Sequence, residues 1–228
     1  MILSMFLFGP FALWLPYLFF GAVFVCAVVL TAIRARPGLL PKLRSAVSIT
    51  ILVRITVAFR VGFALFLTYG QYYAWSQNAF TKTLLHIPMN PVEMPFWIVR
   101  LFPWVFNTDI GYLLFYSWGR FWLDTILVVG VAALFFWFLR ALERRNGRLF
   151  EAGEPELGFL MALLVGWPGV IAFIPLIFVS VVIVSVFRRL VMKQELTTLG
   201  WPFLVAALVT FVLGNTLLEV CGLIVLAV

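Results

Sequence analysis

The sequence predicts an all-α fold, a polytopic integral-membrane helix bundle of about six to seven transmembrane helices. Three observations predict it. Of the 228 residues, 64% are hydrophobic and only 11% charged, with 25 Phe and 9 Trp. A soluble domain of this size cannot hide that much apolar surface, so lipid must solvate much of it. The apolar runs do not alternate with polar residues as barrel strands do. Helices remain the spanning structure that satisfies its own backbone in hydrocarbon. The basic residues, finally, fall in short clusters beside the apolar runs, as topology signals do.

The net charge of +7 would suit nucleic acid if it formed one patch. Its scatter, with no phosphate-binding loop, zinc-finger spacing or RNA-binding pattern, points to the lipid bilayer as partner and to no nucleic acid. No cofactor is expected. The lone His86 has no Cys, Asp or Glu at ligand spacing, so no metal site is expected either. Cys26 and Cys221 both lie in apolar sequence and are expected to be small buried hydrophobes.

The first span is expected over 11–33. Pro10 and Pro16 interrupt the apolar run from residue 2, and about 20 residues suffice to cross. A cleaved signal peptide is the weaker reading, because no basic n-region or small-residue cleavage site is present. Arg34, Arg36, Lys42 and Arg44 then mark a cytoplasmic loop. A second span, 47–69, carries Arg54 and Arg60. A lipid-facing arginine at mid-helix costs about 2.5–3.5 kcal/mol. Arg60 must therefore face protein, a cavity or a carboxylate, while Arg54, nearer the cytoplasmic end, can snorkel.

Residues 70–95 form the longest polar interval and suit the outer face. The stretch 96–117 is apolar but broken by Arg100, Pro103 and Asn107-Thr108-Asp109, so it reads as interfacial, re-entrant or an imperfect span. A better span covers 121–140, with Asp124 near its start. It ends in Arg140, Arg144, Arg145 and Arg148, a second cytoplasmic cluster. Parity agrees: two crossings between two inside loops leave 96–117 short of a full crossing.

The run 157–187 is too long for one crossing, and Trp167-Pro168-Gly169 divides the stretch into spans 154–167 and 170–187. Arg188, Arg189 and Lys193 then return to the cytoplasmic side. The last span, 201–222, contains Gly214-Asn215 as a possible kink and Glu219 beyond it. Arg54, Arg60, Asp124 and Glu219 are the polar residues expected inside the membrane. The whole chain, 1–228, reads as a single membrane domain.

The stretch Leu149–Val170, LFEAGEPELGFLMALLVGWPGV, carries three acids into an apolar helix. Acids at a helix start complement its dipole, and Arg144, Arg145 and Arg148 are near in sequence. A solvated acidic helix start is therefore one expectation for Glu151, Glu154 and Glu156. The stretch also resembles the type IV prepilin peptidases, membrane aspartyl endopeptidases that trim pilin leaders. Gly153-Glu154 stands where that family has Gly-Asp, and Leu160-Met161-Ala162-Leu163 and Gly166-Trp167-Pro168 follow in step. Downstream, Thr198-Leu199-Gly200-Trp201-Pro202-Phe203-Leu204 is similar to the family's Pro-Phe-Gly-Pro-Phe-Leu segment, with Gly214 beyond. Trp118-Gly119 leads into a helix like the one before the motif. The resemblance covers residues 118–228, mainly.

The resemblance implies a catalytic dyad of two aspartates, one activating water while the other protonates the scissile carbonyl. Here the first position reads Gly70 (or Tyr69) and the second Glu154. Glutamate is longer by a methylene, where a misplacement of about 1 Å can cost 10²-fold. No Cys-x-x-Cys pairs accompany it, so the zinc-stabilised loop of the bifunctional members is not implied. The chain thus reads as a prepilin-peptidase-like pseudoenzyme of the bacterial inner membrane. It would bind a partner transmembrane or leader helix, pilin-like or another membrane protein's, or serve as a subunit of a membrane assembly. Two alternatives stand beside it: an active endopeptidase using Glu154 with a second acid, and a small transport or respiratory-complex subunit.

Overall fold

The computed structural model describes residues 10–35, 49–88, 96–106, 108–145, 150–151, 153–187, 189–190 and 199–223. Every regular element among them is helical. In chain order these are α1 (Pro10–Ala35), α2 (Ile49–Gln77), α3 (Ala79–Leu84), α4 (Phe96–Leu101), α5 (Pro103–Phe106) and α6 (Gly111–Ser117). A π-helical turn, Trp118–Trp122, leads into α7 (Leu123–Arg145), followed by α8 (Glu154–Val165), α9 (Gly169–Phe187) and α10 (Gly200–Val220). The expected basic residues Arg36, Lys42, Arg44, Arg148, Arg188 and Lys193, together with Asn107 and Thr198, lie outside the described residues.

Among the described residues, five helices are long and apolar enough to cross a membrane: Leu13–Arg34, Ile49–Gln77, Gly111–Arg145, Gly169–Phe187 and Gly200–Val220. Many of their large apolar side chains face outward, Leu134, Trp137, Phe178, Val182 and Val212 among them. In water that exposure would be prohibitive. In lipid it is the expected outer surface. The expected span 154–167 contains α8, whose 12 residues rise about 18 Å, short of the roughly 30 Å of hydrocarbon.

Several boundaries differ from expectation. Helix α1, Pro10–Ala35, holds Pro16 in its interior. The second helix runs on to Gln77, so 70–77 is helix and not loop. The stop comes at Asn78, whose Oδ1 accepts the Phe80 N–H at 2.9 Å and caps α3. The stretch 96–117 divides. Its first part forms α4 and α5, with Pro103 opening the latter, and 111–117 joins the next span through the π-turn. Nothing at Trp118-Gly119 stops a helix, because a lone Gly is tolerated there. Likewise α10 continues through Gly214-Asn215. Both cysteines are exposed and not buried. Cysteine is as much at home against lipid as in a core.

The chain forms two compact units. One comprises residues up to Phe59 and from Leu127 to Ala227; the other is Arg60–Ile126. The first unit is built around α8. This helix is apolar on all sides, the mark of an element enclosed by others, and Leu160, Met161, Ala162 and Leu163 are completely buried. It packs against α1, α9 and α10, and α9 lies along α10. Gly158 permits the close approach. A Cβ there would meet Leu139 Cδ1 at 2.5 Å and the rings of Phe135 and Phe203 at 3.3 Å. In the second unit, α6 packs on α5 and on the π-turn. Trp75 of α2 contacts Tyr112 and Tyr116, with ring centroids 6.0 and 5.2 Å away.

Candidate functional site

The start of α8 gathers the unusual chemistry. Gly153 caps the helix in the left-handed region, φ 91°, and Pro155 sits in its first turn. Glycine suits that φ, and a Cβ would lie 2.6 Å from Nη1 of Arg34, so the end of that flexible side chain would have to shift. Arg34, the last basic residue of α1, is therefore packed against the turn that delivers Glu154.

Glu154 is buried, 5% exposed. Its Oε1 accepts the N–H of Gly200 at 2.6 Å, and its Oε2 accepts the N–H of Glu151 at 2.9 Å. The Leu199 N–H also bonds to it. Leu199, the N-cap of α10, has no capping side chain of its own. Glu154 thus supplies from another helix the acceptor that the first turn of α10 needs. Burial pushes its carboxyl up to about 7, opposed by the backbone donors of Glu151, Gly200 and Leu199. Gly200 leaves room for this contact: a Cβ there would lie 3.3 Å from Oε1 of Glu154 and 3.5 Å from Cγ2 of Thr31. The residue that α1 sets at this point is a threonine, whose hydroxyl donates to Ala27 O at 2.8 Å.

Glu156, one turn-face away, serves α7. The Arg140 guanidinium bonds to Glu156 through Nη2 and to Glu143 through Nη1, the latter at 2.7 Å. It lies 5.5 Å from the Phe136 ring centroid, and Phe136 in turn meets Phe159 of α8. The expectation of a solvated acidic start therefore holds for exposed Glu151 alone. Glu154 is buried on backbone donors, and Glu156 is held by Arg140. At the far end of α8, Gly166 adopts φ 76° and its carbonyl accepts the Val170 N–H at 2.8 Å. The chain reverses there through Trp167 and Pro168, both half-buried. Ser180 Oγ lies 2.8 Å from Ile177 O and 2.9 Å from Pro202 O, fastening α9 to the first turn of α10.

The remaining expected residues are divided between the two units. Gly70 is buried and Tyr69 exposed, both on α2 within the second unit, whereas Glu154 belongs to the first. Arg54 is exposed. Arg60 is buried, with Nη1 3.6 Å from Oδ2 of Asp124, whose side chain is 37% exposed. Beside them Trp122 Nε1 donates to Thr68 Oγ1 at 3.2 Å. Glu219 is exposed near the end of α10, and Asp109 is exposed in the turn before α6. Among the described residues no three of His, Cys, Asp and Glu group as a metal site. Sequence reasoning missed Thr31 and the Arg34–Gly153 contact. It also missed the Gly200 N–H as partner of Glu154. The legible signal for the last was an α10 start without a capping side chain.

The described residues therefore define an all-helical membrane protein whose one buried acid joins two helix starts. Comparison with protein-family models, with curated proteins and with solved structures finds no match.

Proposed function

We propose that this chain is a non-catalytic relative of the prepilin peptidases, multi-pass in a bacterial inner (plasma) membrane. On this reading it keeps the membrane scaffold and binds a partner transmembrane or leader helix, pilin-like in character, as part of a membrane assembly. One observation carries the reading. Glu154, at the position of a family aspartate, spends both carboxylate oxygens on backbone N–H groups. An aspartyl protease needs two carboxyls sharing a proton around a water. Here both oxygens accept backbone N–H groups, and among the described residues no second carboxyl is bonded to Glu154. In support, the bond from Gly200 to Glu154 joins the two stretches on which the resemblance rests, Gly153-Glu154 and Leu199-Gly200-Trp201-Pro202.

The reading is tested by incubating the full chain, in phospholipid nanodiscs, with a prepilin-type substrate, and by co-purification with pilin-like membrane proteins. No leader cleavage, with a stable pilin-like partner, is expected. Cleavage abolished by Glu154→Gln would instead establish the endopeptidase reading. That second reading is favoured by one feature: a carboxyl near 7 is poised for proton transfer at neutral pH.

A further inference from the structure

We propose that the outward stripe Leu208, Val212, Asn215 and Glu219 of α10 is the docking seam for one partner transmembrane helix. That helix carries a hydrogen-bonding side chain opposite Asn215 and a basic residue opposite Glu219. The inference rests on the reading of this chain as a helix-binding scaffold, and adds where the helix lies and what charge it brings.

The four positions recur at intervals of four, three and four residues, so they fall on one line along the helix. That is the spacing of a seam between two packed helices. All four side chains are exposed, Leu208 at 51% and Val212 at 73%. Another face of α10 is already taken, since Ala207, Thr210, Gly214 and Leu218 are buried.

Depth separates this stripe from an ordinary lipid-facing one. Gly200 lies beside Thr31 of α1, less than one turn ahead of Arg34, the basic residue of that helix's last turn. The head of α10 is therefore near one hydrocarbon boundary. At about 1.5 Å per residue, Asn215 is about 22 Å further along and Glu219 about 28 Å. In a hydrocarbon layer of about 30 Å, the amide lies inside the far half and the acid near the far boundary. Arg54 and Arg120 are exposed too, but long stems carry such heads to the interface. Asn215 has a single methylene and cannot reach it. Among the described residues, neither Asn215 nor Glu219 has a side-chain partner. An amide left in hydrocarbon without a hydrogen bond is unfavourable, and in membranes such side chains bond between helices.

The charge of the partner follows from Glu219. Helix α10 has no basic residue, so a second copy inserted in the same sense would set acid against acid along this stripe. A helix with Lys or Arg at that level supplies the counter-charge, and Asn or Gln one turn inward satisfies both halves of the amide.

The experiment measures energy transfer in phosphatidylcholine bicelles between the donor-labelled full chain and acceptor-labelled synthetic helices of leucine and alanine. One peptide carries Asn in the outer half and Lys one turn beyond it. Two controls replace the Lys with Glu, or both polar residues with Leu. The Asn–Lys peptide should bind the parent about three- to thirtyfold tighter than the all-Leu helix, the range of one interhelical hydrogen bond. Asn215→Leu should remove that margin, and Glu219→Gln should remove the preference for Lys over Glu. Equal binding of the three peptides overturns the proposal, as does a margin or a preference that survives its variant. The peptide comparison uses the unmodified chain, so it decides the matter even where a variant fails to accumulate. Val212→Cys, with Cys26 and Cys221 replaced by Ala, tests the second copy: cross-linked dimers that the Asn–Lys peptide does not displace would also overturn the proposal. A pilin-like protein that co-purifies equally with the parent and with Asn215→Leu would leave the scaffold reading standing and remove this one. Binding of the Asn–Lys helix with no pilin-like protein retained would do the reverse.

Discussion

The backbone N–H of Gly200 donates to Oε1 of Glu154 at 2.6 Å across 46 positions of sequence, and both groups are buried. A helix leaves its first N–H groups without internal partners. Here a second helix satisfies one with an acid that sequence alone would leave in solvent. The contact links the packing of the α8-centred unit to the chemistry proposed for it.

Replacing that acid with an isosteric apolar group should be costly. Glu154→Leu leaves the Gly200 and Glu151 N–H groups buried without their acceptor, at about 1–3 kcal/mol each. The expected loss is about 3 kcal/mol, read as a lowered midpoint in thermal or denaturant unfolding in detergent micelles. An unchanged midpoint would mean that water or another group serves those donors.

Gly153→Ala imposes two penalties at one position. A Cβ is strained at φ 91° and also meets Arg34 Nη1 at 2.6 Å. Left-handed geometry alone costs about 1–2 kcal/mol, so a larger loss is expected in the parent background. In an Arg34→Ala background the steric part should vanish and the conformational part remain. A double-mutant cycle measures the difference. Full additivity would dismiss the contact.

Gly158 makes a parallel case in the core. Ala at this position drives a methyl to 2.5 Å from Leu139 Cδ1, with the Phe135 and Phe203 rings at 3.3 Å. Overpacking of this kind costs about 1–3 kcal/mol. Leu139→Ala should relieve much of it, so the double variant should be more stable than the sum of the single losses implies. If Gly158→Ala is neutral, α8 is not held as tightly as its burial indicates.

In the second unit, Arg60 and Asp124 should behave as a coupled pair. Asp124→Leu removes the carboxylate 3.6 Å from a buried guanidinium. Breaking buried pairs costs about 3–5 kcal/mol, but Asp124 is partly exposed, and about 1–3 kcal/mol is expected after screening. Adding Arg60→Leu should recover part of the loss. Two independent losses would assign Arg60 to other partners.

Helical class and membrane setting were legible in the chain itself. Composition and unbroken apolar runs dictate them without reference to any contact, because hydrocarbon forbids unsatisfied backbone. Five of the apolar runs are helices that can cross. Ends were less legible: α2 outlasts its apolar stretch by eight residues, six of them polar or aromatic, and gives way at Asn78, the N-cap of α3. Of the candidate site, the sequence singled out Gly153 and Glu154, by an acid at the mouth of an apolar helix. It could not show that Glu154 turns inward. An acid's state depends on how many donors surround it and how much solvent is removed, and those donors come from residues 151, 199 and 200. Local sequence encodes what each segment can satisfy on its own. Tertiary packing alone decided that the head of α10 meets a buried carboxyl, with Thr31 beside Gly200 and Arg34 beside Gly153.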